Sequence, residues 1–107
     1  MAALEIKKDL FDRLMEEETP VLVDFWAPWC GYCRRIGAAY EKVAEQYQDT
    51  LIVGKVNVDE EPELEESQQI ELIPTLVLYK KGVALGSIVA PESKAAIDTF
   101  IRQTLEQ

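Results

Sequence analysis

The residues able to do chemistry are few. The 107-residue chain holds two cysteines and no histidine, and the cysteines stand three apart in Trp29-Cys30-Gly31-Tyr32-Cys33. At the start of a helix, side chains at i and i+3 share one face of the first turn, close enough for two sulfurs to bond. A loop that short removes little freedom from an unfolded chain, so the pair is a poor structural brace and a good reversible bridge. Cys30 would present its sulfur to unpaired backbone N–H groups and to the positive end of the helix dipole, both of which favour thiolate. Arg34 and Arg35 follow directly, and no carboxylate lies between Trp29 and Arg35, which adds to that preference. The expected chemistry is attack by Cys30 on a disulfide, then release of the mixed disulfide by Cys33. A zinc knuckle needs four ligands, and two thiols without an imidazole reach that number only across a dimer. No metal or cofactor is expected.

The elements around the pair follow from periodicity. Leu10, Phe11, Leu14 and Met15 recur at helical spacing in a segment ending near Thr19-Pro20. Val21-Leu22-Val23-Asp24-Phe25-Trp26 is a short apolar run of β-favouring residues, as in a central strand covered on both faces. After the cysteines, Ile36, Tyr40, Val43, Ala44 and Tyr47 predict one long helix reaching Tyr47. The segment Leu51 to Val58 reads as the next strand, and strand, crossover helix and strand make a right-handed parallel unit. Pro62 suits the first turn of a short helix ending before Ile70, capped by Asp59 or Glu60. Thr75 to Tyr79 and Val83 to Val89 flank Lys80-Lys81-Gly82 as a hairpin. Ile97, Phe100, Ile101 and Leu105 form a closing helix with Ser93 as N-cap. This alternation predicts an α/β chain with a mixed central sheet and helices on both faces.

Length points to one domain over residues 1–107. Twenty acidic against eleven basic residues leave a formal charge of −9, which repels a phosphate backbone and speaks against nucleic acid as partner. No apolar run approaches a membrane span, and Met1 to Lys8 has none of secretory-signal length, so a cytoplasmic protein is expected. With no apolar surface stripe left unassigned, a monomer is expected too.

Three segments carry a resemblance to a known family. Val23-Asp24-Phe25-Trp26-Ala27-Pro28-Trp29-Cys30-Gly31-Tyr32-Cys33, then Lys55-Val56-Asn57-Val58-Asp59, then Ile73-Pro74-Thr75 resemble the thioredoxin family in order and spacing over essentially the whole length. A Cys-x-x-Cys pair near a βαβ pattern is itself a recognised sign of that family. The resemblance implies the thioredoxin fold, reduction of protein disulfides, and recycling by a thioredoxin-reductase-type donor linked to NADPH or ferredoxin. It also offers a reason for Asp24, a carboxylate in an apolar strand whose desolvation is costly. The matching family residue is a buried acid that takes and returns the resolving cysteine's proton. Lys55, on the neighbouring strand, is its expected partner; the plainer alternative is an aspartate at a strand edge bonded to backbone. Pro74, trans by ordinary odds, is cis by resemblance and lies against the cysteines, where the backbone of Ile73 can bond an extended substrate strand. The substrate face so implied comprises Trp29, Gly31, Tyr32, Ile73, Pro74 and Ala90.

The sequence departs from the pattern at several positions. The family's commonest reductases carry Gly-Pro between the cysteines, where this chain has Gly31-Tyr32. Tyrosine adds an N–H near the Cys30 sulfur and would stabilise the dithiol. The expected potential is therefore less negative than the roughly −270 mV of thioredoxin itself. Ala38 replaces a kinking proline, which predicts a straighter active-site helix. Leu72 and Ala90 stand where the family has small residues and glycine, predicting a narrower, greasier groove and a different set of partners. Two further readings stay open: a disulfide oxidant or isomerase, which Tyr32 favours, and a binding subunit that uses the fold as a scaffold. A glutathione-dependent glutaredoxin is the less similar relative, since its form is Cys-Pro-Tyr-Cys.

Overall fold

The apolar run at 21–26 is the central strand of a five-stranded sheet. In chain order the computed structural model, which describes residues 3–106, contains β1 (Leu4–Glu5), α1 (Lys8–Leu14), β2 (Val21–Trp26), α2 (Gly31–Arg35), α3 (Gly37–Gln46), β3 (Ile52–Asn57), α4 (Pro62–Ser67), β4 (Thr75–Lys80), β5 (Val83–Val89) and α5 (Lys94–Leu105). The strand order is β1-β3-β2-β4-β5. β1, β3 and β2 run parallel, while β4 and β5 are antiparallel to their neighbours. The expected mixed sheet is formed, and the expected hairpin turns on Lys81 and Gly82, both at positive φ, as a two-residue loop between twisted strands requires.

Because side chains alternate along a strand, β2 feeds two cores. Val21, Val23 and Phe25 join Phe11 and Leu14 of α1 and Leu64 of α4 on one face. Leu22 joins Tyr40, Val43 and Ala44 of α3 and Ile97 and Ile101 of α5 on the other. Helices thus cover both faces. On the first face the rings of Phe11 and Tyr79 meet edge to face, centroids 5.6 Å apart, a geometry worth about 1 kcal/mol beyond area burial.

Three sequence expectations shift, and one strand is new. The helix after the cysteines is two helices, broken at Ile36 (φ −89°, ψ 1°). Gly37 follows, and a residue without Cβ does little to hold the helical path, so the chain breaks without the proline that Ala38 replaces. The first helix ends at Leu14, with single turns carrying the chain on to Glu17. The N-cap position of α4 is Glu61, without a side-chain cap, because Glu60 N–H and Glu61 N–H both bond the Asn57 carbonyl and Glu60 engages Lys7 at 2.9 Å. β1 was not anticipated: it pairs Leu4 with Gly54 and Glu5 with Lys55. At the far end of α4, Gln69 at φ 58° closes a Schellman pattern in which Ile70 N–H bonds Glu65 O and Gln69 N–H bonds Glu66 O. Ser93 caps α5 as expected, accepting from Ala96 N–H at 3.1 Å.

Candidate active site

The two cysteines emerge where β2 ends. Ala27 is fully buried and its carbonyl accepts from Cys30 N–H at 3.1 Å, which turns the chain into α2. Cys30 is the N-cap, with extended backbone (φ −83°, ψ 109°), and its Sγ accepts from Cys33 N–H at 3.2 Å. The sulfur therefore occupies the place of a capping oxygen, facing the unpaired donors of the first turn. The donor recorded at this sulfur is Cys33 N–H; the expected new donor, Tyr32 N–H, makes no such bond. Cys30 and Cys33 are joined as a disulfide, with Cα atoms 5.3 Å apart. Cys30 is 8% exposed and Cys33 3%, so an incoming sulfur meets Cys30 first.

Other segments complete the surroundings. The Ile73-Pro74 bond is cis, and the Ile73 carbonyl oxygen lies 3.9 Å from Cys30 Sγ. Pro74 O accepts from Ala90 N–H at 2.9 Å. Tyr32 reaches the same loop, its hydroxyl donating to Pro91 O at 3.0 Å with Ala90 O at 3.4 Å. Gly31 opens α2 with nothing near the place of a Cβ. Trp29 is 68% exposed, and its Nε1 donates to Asp59 Oδ1 at 3.1 Å. The geometry thus gathers Cys30, Cys33, Tyr32, Ile73, Pro74 and Ala90 into one connected set with Trp29 at its margin. Arg34 donates to Pro28 O at 2.8 Å and Arg35 lies 5.7 Å from the Tyr32 ring centre, so both cations stay beside the motif.

Asp24 is buried in β2, and among the described residues its Oδ1 has no hydrogen-bond partner. Burial raises its pKa from 3.8 to about 7, opposed in part by the charge of Lys55. The expected ion pair is not made. Asp24 and Lys55 are register partners on adjacent strands, but the Lys55 ammonium stacks 4.2 Å from the centre of the Trp26 ring. An ammonium over an indole keeps water on its other side, which direct pairing inside the core would remove. The strand-edge alternative also falls, since β2 is flanked by β3 and β4. Among the described residues no hydrogen bond joins Asp24 to either cysteine.

The geometry agrees with what the chain is similar to. The family model for thioredoxin matches residues 2–103. The chain belongs to the thioredoxin family. Thioredoxin 1 of a Nostoc species is 38% identical over 107 residues, covering 99% of this chain and 96% of its own. Thioredoxin of Acidithiobacillus ferridurans is 40% identical over 105 residues, covering 97% of both chains, and thioredoxin 1 of Synechococcus elongatus is 42% identical over 85 residues, covering 79% of both. The architecture is accordingly the thioredoxin fold, and the paired cysteines make the chain a thiol–disulfide oxidoreductase of the protein-disulfide-reducing kind.

Two contacts of this thioredoxin-family site escape sequence reading. Asp59 holds the Trp29 indole; the signal available was that parallel β2 and β3 end at the same edge, bringing the residues that follow each strand together. Pro91 accepts from Tyr32, and nothing in the sequence pairs those two positions. Ala90 has φ 48°, a left-handed backbone that suits the glycine usual in the family better than alanine.

Proposed function

We propose that Cys30 is the attacking thiolate and Cys33 the resolving thiol in the reduction of protein disulfides, with Asp24 as the proton carrier between turnovers. In the dithiol form, Cys30 thiolate attacks one sulfur of a substrate disulfide, forming a mixed disulfide and expelling one substrate thiolate, which takes a proton. Cys33 then loses its proton toward Asp24 and attacks Cys30 Sγ. The second substrate thiolate leaves and the Cys30–Cys33 disulfide forms, so two electrons pass from protein to substrate. A dithiol of a thioredoxin-reductase-type partner reverses this exchange. The observation that carries the reading is the position of Cys30 Sγ as helix N-cap, accepting Cys33 N–H, with Cys33 the more deeply buried.

Asp24 supports its role by a pKa of about 7, close to the pH at which a general base works best. Lys55 acts on it through charge alone. The substrate strand is placed along Ile73, Pro74 and Ala90, with Trp29 and Leu72 (63% exposed) as apolar contacts. The same reading favours a monomer acting in the cytoplasm, where a dithiol carrier stays reduced.

Insulin reduction tests this directly. Cys30→Ser is expected to abolish it, and Cys33→Ser to stall as a trapped mixed disulfide. Activity that survives loss of both cysteines would move the chain to the scaffold reading. A second reading, a disulfide oxidant or isomerase, rests on Tyr32 standing between the cysteines, and equilibration against glutathione buffers separates the two. A potential below the glutathione poise supports a reductase, whereas one between about −180 and −120 mV supports an oxidant.

A further inference from the structure

We propose that Tyr32 is a specificity-determining residue: its hydroxyl, by donating to the Pro91 carbonyl, fixes the loop between β5 and α5 as one wall of the groove that receives a protein disulfide. The inference rests on the substrate placement above and concerns which substrates that groove accepts.

Among the described residues, few bonds reach positions 90 and 91. Ala90 sits at positive φ, and Pro91 has no N–H to donate. Pro91 is nevertheless buried, and a carbonyl partly withdrawn from water gains from a protein donor. Tyr32 supplies it at 3.0 Å. On its other side the loop is held by Ala90 N–H on Pro74 O at 2.9 Å. Residues 90–91 are therefore tied to the segments that flank Cys30 from two sides, by the cis-proline carbonyl and by the Tyr32 hydroxyl, which also lies 3.4 Å from Ala90 O. The Tyr32 ring is itself held, half-buried against both cores and with the Arg35 guanidinium 5.7 Å from its centre, so the hydroxyl is aimed rather than free to swing.

Two side chains next to the motif and the cis-proline segment differ. Trp29 and Leu72 are 68% and 63% exposed and present apolar surface to solvent. A substrate segment lying along Ile73 is thus confined on the Tyr32 side and accommodated on the Trp29 side. A folded protein disulfide must satisfy both margins, whereas a small disulfide needs only to reach Cys30 Sγ. Loss of the tie should weaken protein substrates more than small ones, and through binding, because ordering the wall would then have to occur with each substrate.

The test is Tyr32→Phe, which keeps the ring and removes the donor, with Tyr32→Pro as a second variant that removes ring and donor together. For both, kcat and KM are measured with insulin and with a small aromatic disulfide, beside the potential of the cysteine couple. The expected result is a fall of about fivefold in the ratio of kcat/KM for insulin to that for the small disulfide, carried by KM, the size of one net hydrogen bond. Hydrogen exchange at the Ala90 amide should accelerate about tenfold as its loop loosens. An unchanged ratio, a parallel fall for both substrates, or a change confined to the potential overturns the inference. Cys30→Ser runs alongside: if it stays active the substrate reading itself fails, and if it is dead while the Tyr32→Phe ratio is unchanged only this inference fails.

Discussion

Asp24 holds its proton in the fold at a pH where an exposed aspartate has lost it. Folding raises its pKa from 3.8 to about 7, so between those values the folded chain binds a proton that the unfolded chain releases. Stability from the neutral group is full below about pH 4, declines as pH rises, and is gone above about pH 7. Three pH units correspond to roughly 4 kcal/mol, an upper figure for what ionised Asp24 costs the fold. Asp24→Asn should flatten that decline, raising the free energy of unfolding by on the order of 3 kcal/mol at pH 8 and leaving it nearly unchanged at pH 3.5 in urea titrations. The same variant should slow disulfide reduction at neutral pH, because Cys33 loses the acceptor for its proton; unchanged turnover would remove Asp24 from the mechanism. At this scale the sequence was informative where chemistry is rare. Two cysteines without histidine, and one acid within an apolar strand, stand out in any reading. Lys55 misled because adjacency on neighbouring strands says nothing of which way a long side chain turns, and here the Trp26 face won.

The elements were legible in proportion to their length. β2, β4, β5 and α5 carry enough residues for their period to show. β1 has two residues, too few for any period, and it exists because Gly54 lets it close: a Cβ there would stand 2.4 Å from Ile6 Cδ1 and 2.9 Å from Leu4 O. Gly54→Ala should therefore loosen β1 from β3 and destabilise the chain by about 2 kcal/mol, the range of an overpacked core, measured as a lower urea midpoint at unchanged slope. The break between α2 and α3 was hidden for a different reason. Both halves present apolar residues to the sheet at helical spacing, and a single residue at ψ 1° shifts that spacing too little to register. α4 begins at Pro62 as expected; its cap moved to Glu61 by the Asn57 turn, whose carbonyl takes two N–H groups, a contact that propensity does not encode.

For the molecule as a whole, the −9 charge surrounds a motif flanked by two arginines. A cationic protein disulfide is steered toward such a surface from a distance, and salt screens that attraction within about 10 Å at 0.1 M. The kcat/KM for a basic substrate should fall severalfold, by roughly 3 to 10 times, between low and high ionic strength, with little change for a neutral one. A flat salt profile would confine recognition to the groove. The sheet order and the closing of both faces were readable from the alternation of elements; the contact that ties Pro91 to Tyr32 was not, because it joins segments 59 positions apart.

Both indoles of the chain belong to one corner. Trp26 ends β2 beneath Lys55, and Trp29, one residue before Cys30, stands in solvent on Asp59. Near-ultraviolet emission excited in the indole band is thus a local signal, drawn from the strand-to-helix junction and silent about the hairpin and α5. Melting followed by that emission and melting followed by backbone dichroism interrogate different parts of the molecule, and the separation between the two curves measures whether the redox corner opens before the sheet does.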